Sequence, residues 1–176
     1  MRRIGHLDGS GLRGIALAII LGAVSLSAGP SRAAGALDVQ VSLAPAMEAK
    51  SSEIGRRDLQ DLKSELAAVI NLALQRSNGG KLQAVRVEVV LEDARPNRPT
   101  MARLGREPSL SIRSLSLGGA RVTGRVTSAD GSTHAFDLER YSTDLRDDMG
   151  ATTWMDAERA FDEVADDLVH GRLRNR

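Results

Sequence analysis

Residues of the types that catalyse reactions or bind metals are few in this sequence, and they do not form combinations with a known chemistry. There is no cysteine, which excludes disulfides, a lipid-modified cysteine and thiolate metal sites. Beyond residue 36 there are two histidines, His134 and His170, and neither belongs to an H-x-H or H-x-x-x-H pair. The G-x-S-x-G, Walker and G-x-G-x-x-G motifs do not occur. These features predict a protein that is not an enzyme and has no cofactor and no metal site.

Several aspartates lie close together ahead of the last predicted helix. They are Asp144, Asp147, Asp148 and Asp156. Carboxylates in one loop can bind calcium, but this spacing matches no EF-hand, and a solvated acidic loop is the simpler interpretation. A hydrolase would require these carboxylates to converge in a cleft with raised pKa values, and it is our third functional hypothesis. We interpret both histidines as structural, His134 as a partly buried imidazole in a strand and His170 as a cation in the last turn of a helix.

Basic and acidic residues are segregated along the sequence. Residues 94–125 contain seven arginines and one acid, whereas residues 130–167 contain twelve acids and three arginines. One interpretation is that the two regions face each other in the fold and partly neutralise each other. The other is that the arginines bind a partner rich in carboxylates or phosphates, because the planar guanidinium suits bidentate contacts. The sequence leaves both interpretations open.

The residues from Ala94 to Pro108 predict a long loop, because three prolines and a glycine exclude a regular element there. Such a long connection within a compact domain is uncommon and is usually functional or mobile. We therefore place a partner-binding surface on this loop, on the glycine pair that follows it and at the start of the last helix. The candidate residues are Arg95, Asn97, Arg98, Arg103, Arg106, Gly118, Gly119 and Trp154.

The elements that must position this loop begin with a long amphipathic helix that starts at Asp58. Its apolar residues recur at helical spacing from Leu59 to Leu74, and Asn78-Gly79-Gly80 predicts its end. From Val85 to Leu91, apolar and polar residues alternate, which predicts a strand with one apolar face. A helix with one apolar stripe beside such a strand predicts half of a two-layer sandwich.

The other segments complete the predicted order β-α-β-β-β-α. Residues 37–43 predict a first strand and residues 46–57 a polar loop. Residues 110–126 predict a third strand with bulges or a bend, because the apolar phase shifts along it. The predicted fold is α+β, a two-layer sandwich with both helices on one face of a mixed sheet, in which the first two strands are parallel neighbours.

The last part of the chain predicts a hairpin followed by a helix. A three-residue turn with left-handed Gly131 pairs Val122 with Leu138 and Gly124 with Phe136, and this register keeps the core dry. The fourth strand then runs from Thr133 to Tyr141. The last helix is predicted to start with a capping box, formed by Thr153 and Asp156, and to end at Gly171.

Residues 1–36 predict a cleaved signal peptide, and residues 37–176 a single domain. Three arginines precede the apolar run at residues 15–26, and the small residues A-G-A at 34–36 follow it. The run is too short to span a hydrocarbon core of ~30 Å comfortably, although an uncleaved anchor helix is the alternative. Without residues 1–36 the chain has 20 basic and 22 acidic residues, so its net charge changes from +1 to about −2. This charge argues against a nucleic-acid partner.

Several motifs together resemble a group of uncharacterised small exported proteins of Gram-negative envelopes. They are P-N-R-P-T at 96–100, L-G-G-A at 117–120, A-D-G at 129–131, Y-S-T-D at 141–144 and T-W-M-D-A-E-R-A-F at 153–161. The resemblance covers roughly residues 85–168 and implies export, but no activity. The order of elements is also similar to envelope accessory modules such as the lipopolysaccharide-assembly lipoprotein and the amino-terminal domain of TolB. Many of those are lipoproteins, whereas this chain has no cysteine to modify.

Together these features predict a soluble, periplasmic, non-enzymatic accessory protein of the cell envelope. Its expected partner is another envelope protein or an anionic envelope component, and it is expected to have no transmembrane anchor after cleavage. The alternative is a periplasmic protein that binds a small molecule or a lipid, which would require an apolar cavity between the sheet and the helices. The sequence does not predict the oligomeric state.

Overall fold

The computed structural model describes residues 37–146 and 149–173, so the predicted signal peptide lies outside the described residues. Four strands form one sheet: β1 (Asp38–Leu43), β2 (Ala84–Arg95), β3 (Gly119–Ser128) and β4 (Thr133–Tyr141). The helices are α1 (Pro45–Ala49), α2 (Ser51–Ile54), α3 (Arg56–Arg76), α4 (Met101–Leu104) and α5 (Met155–His170).

The sheet is mixed, and its strands lie in the order β1-β2-β3-β4. β1 runs parallel to β2, and the other neighbours are antiparallel. The two long helices, α3 and α5, pack on the sheet and on each other around one hydrophobic cluster. The predicted α+β class, the mixed sheet and the order β-α-β-β-β-α are confirmed, and the structure adds the short helices α1, α2 and α4.

The apolar stripe of α3 forms one side of this core. The buried side chains of the helix follow each other at intervals of three or four residues: Leu59, Leu62, Leu66, Ile70 and Leu74. Asn78, Gly79 and Gly80 all have positive φ, and Gly79 N donates to Leu74 O at 2.8 Å, so the predicted stop is confirmed. Such a closing bond gives an orphan carbonyl of the last turn its partner.

β2 provides the middle of the sheet and contains an irregularity that the sequence placed elsewhere. Val87, Val89 and Leu91 are buried, and the register to β3 then shifts between Leu91 and Asp93. The extra residue moves the next buried position to Ala94. Bulges or a bend were predicted at residues 110–126. The bulges lie elsewhere, because the extra residue at both register shifts between β2 and β3 belongs to β2, while residues 112–113 form a turn ahead of β3.

The hairpin of β3 and β4 has the predicted register. Val122 pairs with Leu138 and Gly124 with Phe136, and Gly131 has a φ of 87° in the turn. This register places Val122, Val126, Phe136 and Leu138 in the core. The requirement for a dry apolar face was therefore sufficient to select the turn length.

The predicted third strand begins too early in the sequence. Residues 110–118 form turns and irregular backbone, and β3 starts only at Gly119. Ser116 N donates to Asn97 O at 2.9 Å, and Ser116 Oγ donates to Pro96 O at 2.6 Å. The polar groups of this residue therefore bind the preceding loop instead of a neighbouring strand, and alternation of leucine with serine was misleading here.

Three smaller predictions are also wrong. The polar loop predicted at residues 46–57 contains α1 and α2, whose Met47 and Ile54 are buried, and α3 begins at Arg56. The predicted loop of residues 94–108 contains the last strand residues of β2 and the single turn α4. His134 is exposed rather than partly buried, because it lies next to the hairpin turn, where its Nε2 is 3.3 Å from Ser132 Oγ.

Candidate partner-binding surface

Asn97 is fully buried and joins three segments that are distant in sequence. Its backbone N donates to Thr153 O at 2.8 Å, and its backbone O accepts from Ser116 N at 2.9 Å. Its side-chain Oδ1 accepts from Asp156 N at 3.1 Å, while Nδ2 donates to Asp156 Oδ2 at 2.5 Å. Asn97 therefore ties the arginine-rich loop to residues 110–118 and to the first turn of α5.

These bonds replace the capping box that the sequence predicts for α5. The helix has Trp154 at its N-cap, with no side-chain cap hydrogen bond from that residue. Instead, the backbone N–H of Asp156 donates to Oδ1 of Asn97, which lies in a different loop. The predicted capping role of Thr153 is wrong, because a more distant residue satisfies the helix terminus.

Arg98 connects the same three segments from outside. Its Nη1 donates to Ile112 O at 3.1 Å, and its Nε donates to Ala151 O. A guanidinium bound to two carbonyls fixes its loop in place, and it adds a second tie beside Asn97. The structure therefore brings the predicted candidates Asn97 and Arg98 together with the residues before Trp154.

Arg95 lies beside Tyr141 because Gly119 separates them in the sheet register. Gly119 has no side chain, so the guanidinium reaches across it to 4.3 Å from the centre of the ring. Asp93 accepts hydrogen bonds from Tyr141 Oη at 2.8 Å and Arg95 Nε at 3.2 Å, and it also forms an ion pair with Lys50. The sequence analysis missed Lys50 and Asp93; the tyrosine facing a glycine was the available signal.

The pKa values of the two acids in this cluster are shifted in opposite directions. Burial alone would raise the pKa of Asp93, but hydrogen bonds from Lys50 and Tyr141 and the charges of Lys50 and Arg95 lower that pKa overall. Burial and the bond to Asp93 raise the pKa of Tyr141. The phenol therefore stays protonated and donates to a carboxylate, so the two side chains hold β2 and β4 together across Gly119.

The glycine pair is required by close packing. A Cβ on Gly118 would lie 2.3 Å from Asn97 Oδ1. A Cβ on Gly119 would lie 2.2 Å from Arg140 O, and the residue has a φ of 144°. Both glycines are buried and serve to position Asn97 and Tyr141.

Trp154 is half-buried, packs against the core and forms a hydrogen bond with the Asp58 carboxylate. Burial, followed by the negative charge of Asp61, raises the pKa of Asp58, and the bond to Trp154 opposes this rise. The residue thereby links the start of α5 to the start of α3. Its position is explained by the contact between the two helices.

Besides Arg95, the exposed candidates are Arg103 and Arg106, which lie in residues 101–117. Arg103 pairs with Glu107 at 2.8 Å, and Arg106 Nε donates to Ala102 O at 3.3 Å. Most exposed large apolar side chains of the described residues lie near them, with Met101 78% and Ile112 69% exposed. We call the exposed arginines and large apolar side chains of this segment the apex surface: Met101, Arg103, Arg106, Ile112, Arg113, Leu115 and Leu117.

Neither interpretation of the segregated charges accounts for all the arginines. Arg121 pairs with Asp137 at 2.7 Å, which is neutralisation between the basic and acidic regions. Arg103, in contrast, pairs with Glu107 inside the basic region, while the exposed Arg106 and Arg113 leave the apex surface basic. Some arginines of residues 94–125 are therefore paired within the fold, whereas others are exposed to solvent in the segment that also contains exposed apolar side chains.

The aspartate cluster does not converge in the part of the chain that the structure describes. Asp144 pairs with Arg146, and Asp156 is buried against Asn97 and Arg159. Asp147 and Asp148 lie outside the described residues. Within the described ranges, no group of three or more histidines and carboxylates has the arrangement of a metal site.

The binding of a small molecule or lipid would require an apolar cavity between the sheet and the helices, and the space there is small. A slot between β4 and α5, lined by Phe136, Leu138, Val164 and Leu168, has a volume of about 10 Å³. That is roughly the space occupied by one water molecule. A lipid chain does not fit into this slot.

Comparison with known proteins gives no match: no family model, no curated protein and no solved structure is similar to this chain. The resemblance to small exported envelope proteins therefore stays a prediction. None of the described helices is both long enough and apolar enough to cross a membrane.

Proposed function

We propose that this protein is a periplasmic, non-enzymatic accessory protein that binds another component of the cell envelope through the apex surface. The partner presents negative charge beside apolar groups. The observation that supports this proposal is that Met101, Ile112, Arg106 and Arg113 are all exposed within one segment of 13 residues. Exposed apolar side chains gathered in one place mark interaction sites more often than isolated ones do.

The open face of the sheet contrasts with the apex surface. Its charges pair within the face, as Arg86 does with Asp38 at 3.3 Å and Arg121 with Asp137 at 2.7 Å. Thr123 Oγ1 also donates to Glu92 Oε1 at 2.7 Å. This face is a solvated surface with internal compensation, so the apex surface is the better candidate for a partner.

Site-specific photo-crosslinking in producing cells tests the proposal. A photoreactive residue at Met101 or Ile112 is expected to give one discrete adduct in the envelope fraction. Leu72 on α3 is the matched control, because it is also an exposed apolar residue, at 48%, but lies outside the apex surface. The same adducts from Leu72, or none from Met101 and Ile112, would contradict the proposal.

The alternative, a periplasmic protein that binds a small molecule or lipid, rests on the same predicted compartment. It is tested by the native mass of the protein purified gently from its own envelope fraction. A mass increase of a few hundred daltons would favour this alternative. A second polypeptide would favour the accessory function and identify the partner.

A further inference from the structure

Methionine is the only residue type that supplies sulfur to this protein, because the sequence contains no cysteine. Thioether sulfur is a common target of mild oxidants, and the oxidant must reach the side chain to react with it. Beyond residue 36 there are four methionines: Met47, Met101, Met149 and Met155. Their susceptibility to oxidation therefore depends on where the fold places each of them.

The methionines differ widely in exposure. Met101 and Met149 are the two most exposed large apolar side chains of the described residues, at 78% and 77%. Met47 on α1 is fully buried in the core, at 0%, and Met155 at the start of α5 has intermediate exposure. An oxidant in solution thus has direct access to Met101 and Met149, whereas it reaches Met47 only when the fold opens locally.

Arg98 ties together the segments that carry the two exposed methionines. Met101 lies three residues after Arg98, at the start of the single turn α4. The guanidinium of Arg98 donates to the carbonyl of Ala151, two residues after Met149, and to Ile112 O at 3.1 Å. The segment of Met149 is therefore bound directly to the segment that contains the apex surface.

Oxidation changes the contacts that a methionine can make. With hydrogen peroxide, the sulfur gives an electron pair to one oxygen, so that an S–O bond forms and the O–O bond breaks. The proton of the transferred oxygen moves to the leaving hydroxide, which departs as water. The product, methionine sulfoxide, is polar, whereas the thioether is a flexible apolar side chain. Contact of the sulfoxide with an apolar surface removes its water without supplying a hydrogen-bond donor, which costs free energy.

We propose that Met101 and Met149 are oxidation sites at which hydrogen peroxide weakens binding of the partner to the apex surface. The effect on binding rests on the function proposed above, whereas the oxidation itself depends only on the exposure of the two side chains. The fold persists through the modification, because Met47, the methionine of the core, is protected by burial.

Peptide mass spectrometry tests the oxidation on the protein purified from its own envelope fraction. During treatment with hydrogen peroxide, we expect Met101 and Met149 to gain an oxygen atom at least about tenfold faster than Met47. Urea unfolding of the protein oxidised at these two sites should have an unchanged midpoint, since both side chains are exposed. An equal rate at Met47, or unfolding of the protein oxidised only at the two sites, would overturn the proposal.

Photo-crosslinking from Ile112 in producing cells tests the effect on binding. The yield of adduct after brief peroxide treatment is divided by the yield without it, so each variant serves as its own reference. This ratio is expected to fall by about fivefold or more in the protein with both methionines.

The matched control is Met101→Leu with Met149→Leu, which keeps both side chains apolar and similar in volume but removes the sulfur. Its ratio is expected to stay near one. An equal fall in this double variant would assign the oxidation to the partner and would contradict the proposal.

Met101→Gln with Met149→Gln imitates the polar sulfoxide without an oxidant. We expect it to give about fivefold less adduct from Ile112 than the double leucine variant, at an unchanged midpoint of urea unfolding. Equal yields from the two double variants would overturn the proposal.

The outcomes also separate this proposal from the function on which it rests. Absence of the adduct from Ile112 in untreated cells would contradict the proposed function and, with it, the effect of oxidation on binding. A strong adduct that peroxide does not weaken would contradict the oxidation proposal alone.

Discussion

At the scale of single residues, Asn97 is a buried polar side chain on which the contact between the arginine-rich loop and α5 depends. Its side chain supplies an acceptor to Asp156 N and a donor to Asp156 Oδ2, all in a buried position. The sequence showed Asn97 only as a polar residue between two prolines, so its burial was not predictable. Its partner lies 59 positions later, and no local pattern connects the two.

Asn97→Ala is expected to lower the free energy of unfolding by about 2–3 kcal/mol, because it leaves buried polar groups without their partner. Asn71→Ala is the control, since the Asn71 side chain accepts a hydrogen bond from Gln75 on the exposed side of α3, and this variant should lose less than about 0.5 kcal/mol. Urea unfolding of both variants measures the difference. Equal losses would contradict the structural role of Asn97.

Glu65 gives a prediction about pH. Burial, and then the negative charges of Glu158, Asp162 and Asp61, raise its pKa above the ordinary glutamate value. The native state therefore binds this proton more tightly than the unfolded state, and ionisation of Glu65 costs stability as pH rises through and above about 4.3.

Glu65→Gln is thus expected to stabilise the protein by a few tenths of a kcal/mol at about pH 7, a small effect because solvent screens the exposed part of the side chain. The gain should shrink at about pH 4, where the carboxyl group is increasingly protonated in both states. Denaturant unfolding at the two pH values measures it, with the exposed Glu48→Gln as control. A gain that is larger at the lower pH would contradict the sign.

At the scale of elements, the long periodic segments were predictable and the short ones were not. α3, β2 and the β3–β4 hairpin each have one apolar face that must be buried, so their apolar patterns and the register of the hairpin agreed with the structure. Residues 110–117 alternate in the same way, yet they form no strand, because Ser116 binds Asn97 and Pro96 instead. Alternation indicates a strand only where a neighbouring strand is available.

Gly119 tests the packing between strands β3 and β4. Gly119→Ala would bring a methyl group against the backbone of Arg140, which cannot move aside as a side-chain end can, and it would strain a positive φ. We expect a loss of about 2–4 kcal/mol in the free energy of unfolding. Gly105→Ala is the control, because its Cβ would meet only ordinary contacts at 3.6 Å or more, and the change should be close to neutral. Equal losses would exclude this explanation.

At the scale of the whole molecule, the arginines divide into those that hold the fold and those that face solvent. Arg98→Glu is expected to lower the free energy of unfolding by about 2 kcal/mol or more, since it breaks the bonds to Ile112 O and Ala151 O. Arg106→Glu with Arg113→Glu should change it by less than about 0.5 kcal/mol while abolishing the crosslink from Met101. An unchanged crosslink in the double variant would show that Arg106 and Arg113 do not contribute to partner binding.

The tie between Asn97 and α5 also has a consequence for the order in which the chain can become compact. A chain that leaves the ribosome amino-terminus first presents Asn97 long before Asp156 exists. The loop around Asn97 therefore lacks this partner until the first turn of α5 has emerged. The contacts that hold this end of the fold together can therefore form only late in synthesis, after most of the sheet and α3 have emerged.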